Sequence, residues 1–103
     1  MKFQGMTIGV PTEIMHGERR VSSTPDTVKK MVGEGATVLV EKGAGEGAFF
    51  SDAAYVEAGA KIVEDVQEIF AKADVILKVK EPLFNEKVNK HEAEMVRDGQ
   101  YLI

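Results

Sequence analysis

The sequence predicts the α/β fold class, a three-layer domain in which helices cover both faces of a parallel sheet. Segments with strand patterns alternate with segments with helix patterns along the 103 residues, as in β-α-β units with right-handed crossovers. The stretch at residues 75–79 begins as a continuous apolar run, which is typical of a strand covered on both faces. Pro82 limits this strand, because proline cannot donate a ladder hydrogen bond.

Five strands are expected in chain order. They cover residues 6–10, 37–41, 60–63, 75–79 and 101–103. The last of these is apolar up to the final residue, and natural domains seldom stop inside an apolar strand. We therefore expect the sheet to be interrupted in its fifth strand and the chain to be part of a longer protein.

Helices are predicted after residues that cap helix N-termini. Thr24 precedes Pro25 at the first helical position, and Ser51 and Asp65 precede two further helical segments. Glycines follow the first two of these segments and offer the left-handed geometry that ends a helix. A loop and a fourth helix are expected at residues 83–89 and 91–98.

Composition narrows the functional classes. The hydrophobic fraction of 44% and the charged fraction of 29% are those of one ordinary globular domain. A net charge of -4 argues against nucleic-acid binding, which needs a basic surface. The absence of cysteine excludes disulfides and thiolate metal sites, and the two histidines lack metal-ligand spacing. With no apolar run near the roughly 18 residues of a membrane span and no signal peptide, a cytoplasmic location is expected.

Positively charged residues follow two of the predicted strands. Arg19 and Arg20 lie in the polar loop after the first strand, and Lys78 and Lys80 lie at the end of the fourth. Because the carboxyl ends of parallel strands meet at one edge of a sheet, these cations can converge there. A guanidinium and an ammonium would suit a small carboxylic acid with a second oxygen nearby. Spacing alone favours solvated surface charge over a ligand site.

A glycine-rich loop follows the second strand and partly matches a dinucleotide-binding fingerprint. Residues 43–48 fit the pattern G-x-G-x-x-A, and Glu64 lies near the distance of a ribose-binding acid. The fingerprint requires a helix that opens at its third small residue, whereas the capping signal here is Ser51. We therefore interpret the loop as a plain turn. His16 and His91 are interpreted as surface residues, and a role for His16 is left open.

Six groups of residues, in order and at matching spacing, resemble one known domain type. They are residues 8–13, 18–21, 24–25, 40–47, 58–60 and 77–82. Together they resemble the N-terminal domain of alanine dehydrogenase, a domain type that also begins the alpha subunit of the proton-pumping nicotinamide nucleotide transhydrogenase. The likeness runs from about Met6 to the last residue. It implies a Rossmann-like or flavodoxin-like substrate domain over residues 1–103.

The resemblance implies a two-domain enzyme that converts L-alanine reversibly to pyruvate and ammonia. By this resemblance Arg20 binds the substrate carboxylate and Lys80 binds the keto acid. NAD would be bound by a separate Rossmann domain that these residues do not include, and the family's catalytic histidine falls a few residues beyond Ile103. No catalytic residue is therefore expected in this chain, which should be inactive alone. The complete enzyme is expected to form a homo-oligomer.

Three alternatives stand beside alanine dehydrogenase. The transhydrogenase alpha subunit resembles the chain but needs no substrate lysine, and the run Lys80-Glu81-Pro82 favours a keto-acid site. Saccharopine dehydrogenases of the lysine pathway share the domain type. A stand-alone binding module without chemistry is the alternative from a different class.

Overall fold

The structure, a computed structural model, describes residues 5–13, 23–48, 50–78, 84–85, 90–91 and 100–102. The strands are β1 (Thr7–Val10), β2 (Thr37–Glu41), β3 (Lys61–Val63), β4 (Val75–Ile76), β5 (Phe84–Asn85), β6 (Lys90–His91) and β7 (Tyr101–Leu102). The helices are α1 (Pro25–Gly33), α2 (Asp52–Glu57) and α3 (Val66–Lys72), with a short 3-10 helix at Glu46–Ala48.

Five of the strands form one sheet in the order β3-β2-β1-β4-β7, and every neighbouring pair is parallel. In the centre, Ile8 of β1 pairs with Val38 on one side and with Val75 on the other. The chain builds outward through β2 and β3, then returns to place β4 on the opposite side of β1. The predicted α/β class and parallel sheet are confirmed, and the strand order reverses between β1 and β4.

The helices cover the two faces of the sheet unequally. Ile8 and Val10 point to one face, where they are buried in a cluster with Tyr55 of α2. The opposite face is covered by α3, whose Ile69 is buried beside Ile76 of β4. Side chains in a strand alternate between faces, so one central strand can contribute to both clusters. The three layers expected from the sequence are present.

Side-chain capping explains where the helices begin. Thr24, Ser51 and Asp65 each accept a hydrogen bond from a backbone amide in the first turn of α1, α2 and α3, at 3.3, 3.2 and 2.9 Å. Gly35 and Gly59, which follow α1 and α2, have φ angles of 97° and 103°. These left-handed conformations suit glycine, so the predicted stops are confirmed.

A residue far along the chain holds the end of α3. The Nε2 atom of Gln100 donates to the carbonyl oxygens of Phe70 and Ala73, both at 2.7 Å. The last carbonyls of a helix have no intrahelical donor, so an outside group must satisfy them. Gln100 does this and thereby ties the start of β7 to α3.

The structure shortens one predicted strand. β4 ends at Ile76 rather than at residue 79. The Leu77 amide still donates to the Gly9 carbonyl at 3.0 Å. The next bond of a parallel ladder would come from the amide of residue 11, and Pro11 has no N–H. Regular pairing between β1 and β4 therefore stops at this level.

A small second sheet corrects the expected loop and the start of the fourth helix. Phe84 pairs with His91 and Asn85 pairs with Lys90 in an antiparallel arrangement. His91 therefore lies in a strand and not at a helix N-terminus. Pairing between segments can override a weak local preference, which is why the sequence pattern was misleading here. The rest of that predicted helix, residues 92–98, lies outside the described residues.

Candidate functional site

The carboxyl edge of the sheet between β1 and β4 is the natural place for a ligand. In open α/β sheets, ligands bind outside the carboxyl ends of the strands at the point where the strand order reverses. Here β1 leads into residues 11–13, and β4 leads into Leu77 and Lys78. The side chains of these two short segments therefore form the base of the candidate site.

A buried ion pair joins the two segments. The Nζ atom of Lys78 donates to Oε1 of Glu13 at 3.1 Å, and each side chain is only 2% exposed. The two residues are 65 positions apart in the sequence. Burial removes both charges from water, so the pair depends on its own geometry and on nearby polar groups for compensation. The pair lies where the predicted ligand crevice begins.

A second buried carboxylate lies at the end of the neighbouring strand. Glu41, the last residue of β2, is 4% exposed. Its Oε1 atom accepts a hydrogen bond from the Thr12 amide at 2.9 Å. Residues 12 and 13 are consequently held from both sides, toward β2 through Glu41 and toward β4 through Lys78. The segment leaving β1 has a fixed starting direction.

The far end of the same connection is fixed by Tyr55. Its hydroxyl donates to the Ser23 carbonyl at 2.8 Å, in a fully buried position. Burial raises the pKa of Tyr55 above its ordinary value of 10.0, and the negative charge of Asp52 adds to the shift. The Ser23 hydroxyl is also buried, and it has no hydrogen-bond partner in the structure as described. Tyr55 thus anchors the chain just before α1.

The glycine-rich loop has the geometry of a turn. Gly43 has a φ angle of 82°, and its amide donates to Oδ1 of Asp52 at 2.9 Å. Gly45 lies against Tyr55 so closely that an added Cβ would be 2.5 Å from the ring atom Cε2. The 3-10 helix follows, and α2 begins only at Asp52, after the Ser51 cap. These contacts explain both glycines through packing and backbone conformation.

The residues predicted to bind substrate, Arg20 and Lys80, lie outside the described residues, as do Arg19 and His16. Their assignments stay predictions. The described chain reaches Glu13 and resumes at Ser23 on either side of the arginines, and it reaches Lys78 two residues before Lys80. Glu13 and Lys78 follow β1 and β4, between which the strand order of the sheet reverses. Lys78, which was grouped with the edge cations, is instead buried against Glu13.

Sequence reasoning missed the roles of Glu13 and Glu41. Both are acidic residues at or just beyond the ends of adjacent parallel strands, and this position could have indicated that they are buried near a ligand edge. In the described ranges, no three potential metal-ligating residues come together. Across the same ranges, none of the helices has the length and apolar character needed to cross a bilayer.

Comparisons with known proteins agree with this architecture. The family model for the alanine dehydrogenase/PNT N-terminal domain matches residues 9–103. Alanine dehydrogenase from Methanococcus maripaludis is 46% identical over 97 residues, which is 94% of this chain and 24% of that protein. The Staphylococcus saprophyticus enzyme of the same name is 49% identical over 81 residues, covering 79% of this chain and 22% of that protein.

Solved structures of the same two kinds of protein share the fold. An L-alanine dehydrogenase structure matches with a TM-score of 0.83 and 38% identity over 94% of this chain and 25% of that one. A transhydrogenase from Sinorhizobium meliloti matches with a TM-score of 0.79 and 32% identity over 93% of this chain and 25% of that one. The chain therefore spans about a quarter of the length of these relatives. It belongs to the alanine dehydrogenase/PNT N-terminal domain family.

Proposed function

We propose that residues 1–103 are the substrate-side domain of an NAD-dependent alanine dehydrogenase. The complete enzyme would convert L-alanine, NAD⁺ and water to pyruvate, ammonium, NADH and a proton, and would run in reverse. The observation that carries this proposal is 46% identity to an alanine dehydrogenase over 94% of the chain. Family membership by itself is compatible with other activities, so the substrate has to be tested directly.

Arg20 and Lys80 are the proposed substrate-binding residues. Arg20 would hold the carboxylate through two parallel hydrogen bonds, which the planar guanidinium is suited to make. Lys80 would bind the keto oxygen of pyruvate with its ammonium group. Support comes from the described flanks, since Glu13 and Lys78 lie at the reversal point where ligands of parallel sheets bind.

NAD is proposed to be held by a second domain outside these residues. When bound, it would accept the hydride that leaves the α-carbon of L-alanine. In this proposal the present chain binds and orients the small acid, and the groups that move protons lie elsewhere. The isolated 103-residue chain is accordingly expected to form no NADH from L-alanine and NAD⁺.

The full-length protein tests the proposal through NADH absorbance with L-alanine and NAD⁺. Arg20→Ala and Lys80→Ala should each weaken pyruvate binding by about 1.5–3 kcal/mol, because each removes a hydrogen bond between charged groups. That loss corresponds to a rise in KM of roughly ten- to a hundred-fold. Arg19→Ala is the matched control and should keep the wild-type KM. Unchanged KM in both test variants would contradict the assigned roles.

A transhydrogenase role is the second candidate, favoured by the Sinorhizobium meliloti structure at a TM-score of 0.79. Such a protein would pass hydride between NADH and NADP⁺ and would need no amino acid. Assaying the full-length protein for NADPH formation from NADH without L-alanine separates the two. Transhydrogenation in the absence of any alanine-dependent NADH formation would replace the first proposal with the second.

A further inference from the structure

We propose that Glu13 and Lys78 form a positioning pair that sets the separation between the two substrate-binding residues. The inference rests on the proposed function, because it assigns the pair a role in presenting Arg20 and Lys80. Lys78 precedes Lys80 by two residues, and Glu13 precedes Arg20 by seven. The hydrogen bond between the pair therefore joins the starting points of both substrate-binding segments.

The burial of the pair argues for a role beyond stability. Each side chain is 2% exposed, so both ions have lost most of their hydration. Replacing a buried ion pair with apolar residues of similar size is often neutral or stabilising. If folding alone were at stake, two apolar side chains would serve this position at least as well. A directional contact between two particular segments is something that apolar packing would not supply.

Two neighbouring hydrogen bonds also hold the ends of the connection between β1 and α1. The Thr12 amide is bonded to Glu41 at 2.9 Å, which fixes the residue just before Glu13. At the other end of this connection, Tyr55 holds the Ser23 carbonyl at 2.8 Å. The connection that carries Arg20 thus begins and ends at buried polar contacts. Binding groups need to be held to within about half an ångström, and such supporting contacts provide that precision.

The pair also determines which ammonium is presented to a ligand. The Lys78 Nζ atom is bonded to a carboxylate and is withdrawn from solvent, so its charge is offset locally. Lys80 follows two residues later in the sequence and is the proposed ligand of the keto oxygen. Glu13 would therefore prevent Lys78 from competing with Lys80 for the substrate oxygen.

The decisive experiment measures KM for pyruvate, kcat and urea stability in the full-length protein. Glu13→Gln, Lys78→Met and the double variant are compared with wild type. Each single change leaves one side of the pair without its counter-charge and should lower stability, whereas the double variant buries no charge and should recover part of the loss. We expect KM in the stable double variant to stay about ten- to a hundred-fold above wild type, because weakened contacts that bind substrate and transition state equally raise KM without lowering kcat. The kcat at saturating pyruvate should change less than twofold.

Two further variants test side-chain length and provide a control at an exposed ion pair. Glu13→Asp keeps the charge and shortens the side chain by one methylene, so it should raise KM by a smaller factor. Glu68→Gln breaks the exposed pair between Lys72 Nζ and Glu68 Oε1, which are 2.6 Å apart, and should leave KM unchanged. A wild-type KM in the double variant would overturn the inference and leave the pair with a structural role.

Failure of the inference is distinguishable from failure of the proposed function. If wild-type protein forms no NADH from L-alanine, or if Arg20→Ala and Lys80→Ala keep the wild-type KM, the proposed function is wrong. If those two variants lose pyruvate binding while the double variant at Glu13 and Lys78 keeps it, only the positioning role is wrong.

Discussion

The two edges of the parallel sheet handle charge in different ways. At the carboxyl edge, Glu13 and Lys78 form an ion pair with side chains that are 2% exposed, and Glu41 is buried nearby at the end of β2. At the amino edge, the Asp74 carboxylate accepts a hydrogen bond from the Thr7 amide at 2.8 Å while remaining exposed. Both edges connect the same strands, but among the residues that the structure describes only the carboxyl edge buries its ionic groups.

This difference supports the proposed location of the site. A chain can turn between a strand and a helix with exposed polar groups, as the amino edge demonstrates. Buried charge is unfavourable unless it is well compensated, so its concentration at one edge calls for a local reason. The reversal of strand order between β1 and β4 supplies that reason, because a ligand crevice is expected there. The contrast between the edges can be tested by removing one charge at a time.

The largest loss of stability is expected for Glu13→Gln at the carboxyl edge. The variant leaves the Lys78 ammonium buried without its counter-charge, which should reduce the free energy of unfolding by about 3–5 kcal/mol. Urea unfolding monitored by circular dichroism measures the change. The double variant Glu13→Gln, Lys78→Met is the control and should regain part of the loss, because it buries no charge. A loss below 1 kcal/mol in the single variant would remove the contrast between the edges.

A smaller loss is expected for Glu41→Ala. The change removes the acceptor of the Thr12 amide, and an unsatisfied buried donor costs about 1–3 kcal/mol. The same urea titration applies, and hydrogen exchange of the Thr12 amide gives a local readout. Faster exchange at Thr12 with little change at Thr37, in the exposed first position of β2, would show that the effect is confined to the edge. Unaltered exchange at Thr12 would contradict the contact.

Tyr55→Phe tests the anchor before α1 and should cost about 1 kcal/mol, because one hydrogen bond to the Ser23 carbonyl is lost. Burial, with a smaller effect of Asp52, raises the pKa of Tyr55 in the folded state. Its contribution is therefore complete below the unfolded value of 10.0 and is lost as the pH rises through the higher folded pKa. Stability measured between pH 9 and 11 should fall less steeply in the variant. Identical slopes would refute the role of burial.

The smallest effect is expected at the amino edge. Asp74→Ala removes the acceptor of the Thr7 amide, but water can replace it because Asp74 is exposed. We expect a loss of about 0.5–1 kcal/mol, in the range of a single exposed hydrogen bond. Thermal unfolding is sufficient to measure it. A loss as large as that of Glu13→Gln would mean that the two edges are energetically alike.

Much of the fold was predictable because its signals are local. Thr24, Ser51 and Asp65 cap helices through bonds to amides two or three residues away, so the sequence contains the whole interaction. The end of β4 depends instead on a proline in a partner strand. Its pairing stops because Pro11, more than sixty residues earlier, offers no amide. A strand judged from its own composition appears longer than its partner allows.

The meeting of the strand ends at one edge of the sheet was predictable, whereas the contacts made there were not. The expectation that the first and fourth strands meet at a ligand edge follows from the alternation of helices and strands, and the described flanks fit it. The partnership of Glu13 and Lys78 spans 65 positions, so no local pattern indicates it. Spacing grouped Lys78 with Lys80 as a cation at the end of the fourth strand, whereas tertiary packing buries the Lys78 side chain against Glu13.

Pro11 has a consequence for how the two central strands are joined. A residue with an amide proton at this position could continue the hydrogen-bonded ladder between the two central strands and bring the outgoing segments together. Without that proton, the last backbone bond between the two strands is the one from the Leu77 amide to the Gly9 carbonyl, and the side chains of Glu13 and Lys78 join the segments beyond it. The connection nearest the ligand edge is thus made by side chains, so a substitution can remove it while the backbone ladder stays intact.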